Sequence, residues 1–317
     1  MSQLKTEFQS GVKTFFIVPE LSLFPEEYLK SYFLKGFETY IIDDDPYCLL
    51  EAKIHVIFSL FSEVILFFNI DRQIHGIEWS SFIARLQQTY QERAMIGIMY
   101  RKKNNLEETK ALERLYLYDI GINGGCIPIE YQKSKNLYLF LNVLIANQAN
   151  GQRKYLRSIC DESYKMNFIF QKNQYQCTIR DLSISHFSCV FRGEVPEIPL
   201  HEKITDIQMN LKGVLIKVDG VFSLMRNIGE DAIHIFVFRN SDGKDGLTTE
   251  NMLRVNDIIH NSFQTSMSLL LRHDFDAVRT RIVKEKRERI IPDILACARD
   301  VVENPDSEKS LALTSDK

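Results

Sequence analysis

Lys165-Met-Asn-Phe-Ile-Phe170, Gln174-Tyr-Gln-Cys-Thr-Ile-Arg-Asp-Leu-Ser-Ile184 and Phe187-Ser-Cys-Val-Phe191 follow one another with little between them, and their texture decides the fold of the second half of the chain. Each run is rich in Val, Ile and Phe and is bounded by turn chemistry such as Lys172-Asn173. The pattern continues through Ile207 to Leu211, Val214 to Val218, Val221 to Arg226 and Ile233 to Phe238, with Asp219-Gly220 and Gly229-Glu-Asp231 read as turns. Closely spaced strands of this kind predict an antiparallel barrel, which also removes exposed sheet edges.

The first half reads differently. Short apolar runs at Thr14 to Val18, Thr39 to Ile42, Val64 to Phe68, Met95 to Met99 and Cys126 to Ile129 alternate with helical patterns. One helix starts at Pro25, with Glu26 and Glu27 placed to favour the dipole of its first turn. A second is capped by Asp45 and opened by Pro46, and others cover Trp79 to Arg93, Leu106 to Tyr118 and Lys135 to Asn147. Five βα units predict a doubly wound parallel sheet covered on both faces. The fold class is therefore α/β followed by all-β, with C-terminal helices. The expected organisation is a tail at 1–10, an α/β domain at 11–148, a barrel at 149–247, helices at 248–303 and a disordered tail at 304–317.

At the junction of the two halves lies Arg153-Lys-Tyr-Leu-Arg157, and on the strands behind it Asp181-Leu-Ser-Ile-Ser-His186. Two guanidinium forks four residues apart in a non-helical segment can each pair bidentately with a phosphate or with the O6/N7 edge of guanine. Asp181 and Ser183, two apart on a strand, share a face, so a carboxylate and a hydroxyl can meet the edge of one flat base. Structural readings stand beside these: surface ion pairs in a solvated linker for the arginines, and local backbone bonding in a turn or bulge for Asp181 and Ser183.

These residues resemble the PilZ family, whose members bind the bacterial messenger cyclic di-GMP through an RxxxR segment ahead of the first barrel strand and a [D/N]xSxxG segment on the barrel. The resemblance covers roughly residues 150 to 265. The first motif is complete; in the second, His186 stands where the family has glycine. It implies a PilZ-type barrel with cyclic di-GMP as ligand, held by Arg153, Arg157, Asp181 and Ser183 with His186 beside them. It also implies no cofactor, no catalytic residues and a role in bacterial signalling such as motility control.

The five-unit α/β pattern looks like a receiver domain of two-component signalling, without its chemistry. A receiver needs an aspartate ending the third strand, acidic residues after the first, a hydroxyl residue ending the fourth and a lysine after the fifth. Here Phe68 and Asn69, Pro19 and Glu20, Tyr100, and Glu130 occupy those places, and Asp71 comes two or three residues late. The expectation is a receiver-like shell without phosphoryl transfer.

The remaining features exclude more than they assign. The 317 residues carry a formal charge of -3 with 45% apolar residues, which suits globular domains and argues against long nucleic acid as a partner. Six dispersed cysteines without a CxxC, and histidines without ligand spacing, predict a reducing compartment and no metal. No signal-peptide pattern opens the chain, and the apolar stretch Ile54 to Ile70 is interrupted by His55, Ser59, Ser62 and Glu63, so a cytoplasmic location is expected. Asp43, Asp44 and Asp45 suggest a cation, although a strand-to-helix loop explains them more simply. Gly121, Gly124 and Gly125 end a helix and lead into the fifth strand, since no GxxxxGK[ST] pattern is present.

After the turn Ser241 to Gly246, Thr248 is placed to cap a helix whose stripe is Met252, Val255, Ile258, Ile259, Phe263, Met267 and Leu270, a core helix closing the barrel. The charged segment 274–303 reads as an exposed helix with Pro292 near its end. Three functions remain open: a noncatalytic cyclic di-GMP effector, with a downstream protein partner that the sequence does not name; an adaptor with two degenerate domains; and a phosphorylated response regulator.

Overall fold

The computed structural model describes residues 11–45, 48–149, 154–229, 231–240 and 242–303, with only the backbone described for 277–303. The expected tails at 1–10 and 304–317, Pro46 and Arg153 lie outside these residues.

Five strands form the first sheet: β1 (Lys13–Ile17), β2 (Thr39–Ile42), β3 (Val64–Asn69), β4 (Ala94–Arg101) and β5 (Cys126–Ile129). All pair in parallel in the order β2-β1-β3-β4-β5. Near-continuous apolar runs such as Val64-Ile-Leu-Phe-Phe68 form strands buried on both faces, as a parallel sheet demands. Helices α1 (Glu27–Leu34) and α5 (Lys133–Ala146) cover one face, where Phe16, Phe67 and Phe140 meet at ring separations of 5.3 to 5.6 Å. On the opposite face Phe58 of α2 (Leu50–Leu60) stacks on Tyr90 of α3 (Trp79–Tyr90), and Phe68 contacts Trp79 and Phe82.

Several local expectations are corrected. Asp45 does not cap α2; its carboxylate accepts from the Cys48 amide at 2.9 Å, and α2 begins after Leu49 with no side-chain cap. The acidic run is spent on loop contacts: Lys53 binds Asp45 at 2.9 Å and the Asp43 carbonyl at 2.6 Å. The helix expected over Leu106 to Tyr118 is α4 (Leu106–Arg114) followed by a π-helical turn, Leu115–Asp119. Helix α3 is capped by Glu78, whose carboxylate accepts from the amides and hydroxyls of Ser81 and Ser80, and these bonds hold its pKa down to about 2.

The second sheet contains β6 (Arg157–Ile159), β7 (Tyr164–Phe170), β8 (Asn173–Ser183), β9 (His186–Phe191), β10 (Lys203–Leu211), β11 (Val214–Ile228) and β12 (Asp231–Arg239). Its order is β6-β8-β7-β10-β11-β12-β9, and a further β8–β9 pairing closes six of the strands into an antiparallel barrel with β6 added at the edge of β8. Phe187 and Phe236 stack inside it with ring centroids 5.2 Å apart.

Asp219-Gly220 is not a turn. Both residues lie within β11, and a Cβ on Gly220 would sit 3.1 Å from Ile207 Cδ1, so this glycine permits close packing inside the barrel. The turns fall at Gln171-Lys172 and Lys212-Gly213, where all four residues have positive φ, the conformation that matches hairpin twist.

One helix, α6 (Thr249–Glu303), continues through both C-terminal segments and through Pro292. Of the expected stripe, Val255, Ile259, Phe263 and Met267 are buried, while Met252, Ile258 and Leu270 are half-buried and Leu271 is buried in place of Leu270; the helix also reaches beyond the barrel. Asn251 donates to the Lys217 carbonyl of β11, whereas Asn256 donates to the Lys30 carbonyl of α1 and Gln264 to the Thr39 carbonyl of β2. Phe33 of α1 packs edge-on against both His260 and Phe263.

Candidate functional site

Arg157 opens the short strand β6, whose antiparallel register sets it opposite Ser183 and sets Ile159 opposite Asp181. The neighbouring pairing of β8 with β9 places Asp181 opposite Ser188. Two strand pairings thus bring the two sequence motifs to one place: Arg157, Asp181, Ser183 and His186 form a single polar cluster. Arg153 lies outside the described residues.

Within the cluster, Arg157 Nη2 lies 2.5 Å from His186 Nε2, and Arg157 Nε lies 3.5 Å from Asp181 Oδ1. A guanidinium can only donate, so His186 must accept through Nε2 and carry its proton on Nδ1. Nδ1 then faces Ser185 Oγ at 2.8 Å and Ser183 Oγ at 3.0 Å. Asp181 Oδ2 accepts from Ser188 Oγ at 2.6 Å. The Ser183 hydroxyl is wholly buried and accepts from the amides of Ser185 and His186, which makes it the organiser of the β8–β9 turn.

Two atoms remain without a hydrogen-bond partner although both are shielded from solvent: Arg157 Nε and Asp181 Oδ1. They face each other at a distance too long for a hydrogen bond. Their ion pair offsets part of the cost of about 1–3 kcal/mol that each would carry as a buried group without a hydrogen bond. Ser185 and Ser188 belong to the cluster and were not singled out in the sequence. The signal for Ser188 lies in pairing across the hairpin, where a register can only be assigned once the turn is fixed. Behind β6, Ser158 Oγ lies 3.3 Å from Ser262 Oγ of α6.

At the carboxyl edge of the parallel sheet, the place where a receiver would hold its acceptor, Asn69 ends β3 and donates to the Val18 carbonyl at 3.0 Å. Asp71 accepts from the Arg101 amide, and the Arg101 guanidinium grips Glu20 at 2.6 and 2.8 Å. That fork holds the Glu20 carboxyl below its ordinary range. These groups line a cleft of about 670 Å³ with Pro19, Leu21 and Arg72. Among the described residues no group of three or more His, Cys, Asp or Glu is suited to a metal ion, and no helix is long and apolar enough to cross a membrane.

No family model and no curated protein matches the sequence. Solved structures do resemble it. The PilZ domain of YcgR from Escherichia coli with c-di-GMP aligns at 14% identity over 37% of this chain and 95% of that one, with a TM-score of 0.32. YcgR from the same organism in complex with c-di-GMP aligns at 16% over 41% of this chain and 51% of its own, with a TM-score of 0.31. The PlzA protein of Borreliella burgdorferi in complex with c-di-GMP aligns at 16% over 42% of this chain and 50% of that one, at 0.24. The chain thus spans about half of the two longer proteins. At these values the matches carry no argument about function, and the barrel rests on its own strand order.

Proposed function

We propose that this chain is a noncatalytic receptor for cyclic di-GMP working in the bacterial cytoplasm, with Arg153 and Arg157 as phosphate and guanine ligands and Asp181 as a reader of the guanine edge. The observation that carries this reading is the juxtaposition of Arg157 and Asp181, whose facing Nε and Oδ1 are shielded from solvent and form an ion pair at 3.5 Å without a hydrogen bond. A guanine presents N1–H and N2–H donors for a carboxylate and the O6/N7 acceptors for a guanidinium, so one base answers both open atoms. Ser183 acts in this reading through the turn that holds His186 and the end of β8.

A bidentate arginine to guanine contact contributes about 1–3 kcal/mol, so two arginines and Asp181 suffice for a micromolar site after ordering costs. Ligand contacts at Arg153 would fix the segment that joins the α/β domain to the barrel and reorient the two. The α/β domain is, in this proposal, a receiver-like shell without phosphoryl transfer.

Calorimetric titration of the full chain with cyclic di-GMP tests the reading. Arg153→Ala and Arg157→Ala should each weaken binding by about tenfold or more, since each removes a charged bidentate contact. Asp181→Ala should lower discrimination between guanine and adenine dinucleotides. A second reading, an adaptor acting through protein contacts, is favoured by the inward pairing of Arg157 with His186. Absence of any cyclic di-GMP binding by the parent would refute the first reading and leave the second in place.

A further inference from the structure

Asp181 reaches the candidate site through an irregularity in its own strand. Ile179 of β8 pairs with Cys189 of β9, and the next pair is Asp181 with Ser188, so Arg180 is an extra residue that β9 does not match. Side chains alternate between the two faces of a strand, and a bulge resets that alternation. Before the bulge, Tyr175, Cys177 and Ile179 are buried on the inner face of the barrel; after it, Leu182 takes the inner face opposite Phe187. Asp181 is left on the outer face beside Ser188. An unbroken register would have put its carboxylate on the same face as Ile179, in the apolar interior.

The bulge sends the carboxylate outward, and Ser188 sets the way it points. Ser188 is only 1% exposed, and its hydroxyl donates to Asp181 Oδ2 at 2.6 Å. The other oxygen, Oδ1, faces Arg157 Nε at 3.5 Å without a hydrogen bond. The two side chains therefore meet through one atom each, although a carboxylate and a guanidinium ordinarily pair through two parallel hydrogen bonds. Rotation about χ2 of Asp181 would bring both oxygens onto the arginine. The torsion of an aspartate offers little resistance of its own, but that rotation would break the bond from Ser188.

We infer that Ser188 is a positioning residue for Asp181: its buried hydroxyl holds the carboxylate short of a bidentate pair with Arg157 and so keeps both groups available to a guanine edge. This role rests on the proposed cyclic di-GMP site and is exerted through Asp181 alone. Without the hydroxyl, the carboxylate turns onto Arg157, the two charges satisfy each other, and a ligand must break a bidentate pair before it binds.

Calorimetric titration of the full chain with cyclic di-GMP tests this in the parent, Ser188→Ala, Ser188→Cys and Ser188→Thr, with thermal unfolding as the check that the barrel is intact. Cysteine is close to serine in shape but a weak donor, whereas threonine keeps the hydroxyl. The alanine and cysteine variants should each lose about five- to tenfold in affinity, the scale of one hydrogen bond to a charged group, and threonine should recover most of that loss. In an Asp181→Ala background, Ser188→Ala should change affinity by less than about twofold, because the group it positions is gone; a merely structural serine would cost the same in both backgrounds. If the parent binds and Ser188→Ala binds equally well, if the loss recurs undiminished without Asp181, or if threonine is as weak as alanine, the role of Ser188 is overturned and the cyclic di-GMP reading stands. A parent that binds no cyclic di-GMP overturns that reading and the role of Ser188 with it.

Discussion

His186→Gly should tighten cyclic di-GMP binding, and the structure changes the reason from the one the sequence suggests. A side chain in place of glycine suggests steric loss at a close approach. In the structure the imidazole also holds Arg157, through Nε2 and Nη2 at 2.5 Å, so the arginine must exchange this bond before it can meet a ligand. A hydrogen bond to a charged group contributes about 1.5–3 kcal/mol, and in the variant water recovers part of it because the arginine is a quarter exposed. A net gain of about 1 kcal/mol remains, which corresponds to roughly five- to tenfold in affinity. His186→Ala separates release of Arg157 from added backbone freedom at the start of β9, because only glycine brings the latter. Isothermal titration of the three proteins measures it. If His186→Gly weakens binding several-fold while circular dichroism shows an intact fold, the imidazole is a ligand contact and the competition argument fails.

Incubation with acetyl phosphate and magnesium should leave the chain unmodified, because Asn69 ends β3 and one oxygen of Asp71 is taken by the Arg101 amide; an aspartyl phosphate at Asp71 found by mass spectrometry would refute this. Lys13→Met leaves Glu38 buried without its counter-charge, at a cost of about 3–5 kcal/mol near neutral pH. Burial pushes the Glu38 carboxyl up, so its contribution is present at low pH and lost as pH rises; urea unfolding should show a larger deficit at alkaline than at mildly acidic pH, and equal deficits would count against the argument. Burial lowers His260 to about 4, so its neutral form supports the fold above about 6.5 and that support, up to about 3 kcal/mol, drains away as pH falls toward 4. His260→Phe should flatten the stability profile in that window, and an unchanged acid limb in chemical unfolding would show that other groups set it.

The five-stranded sheet was legible because strands buried on both faces are written as unbroken apolar runs, and these stand out from the longer helical patterns between them. Most barrel strands were legible from β-branched and aromatic clustering. Asp219-Gly220 misled because the same dipeptide that favours a hairpin turn also gives a glycine without a side chain where Ile207, Phe187 and Phe236 crowd the barrel interior. The turn had already been made at Lys212-Gly213, where φ is positive at both residues. Strand β6 went unread because three residues, Arg157-Ser-Ile159, show no period. It matters most to the site, since its pairing with β8 is what carries Arg157 to Asp181 and His186. Spacing in the sequence identified the chemistry, and register across two strand pairs decided which atoms meet.

The same register gives β6 a second neighbour. Ser158, adjacent to Arg157, turns to the opposite side of the strand and meets Ser262 of α6 at 3.3 Å. Around that point α6 is tied to the α/β domain through Asn256 and Lys30, through Gln264 and Thr39, and through Phe33 lying against His260 and Phe263. The helix is therefore not an accessory of the barrel alone but the element that touches the back of the candidate site and the helix-covered sheet at once. In the proposed function, a ligand that drew Arg157 away from His186 would act on β6, and the contacts of α6 with Ser158, Lys30, Thr39 and Phe33 would be the route by which such a movement could reach α1 and β2.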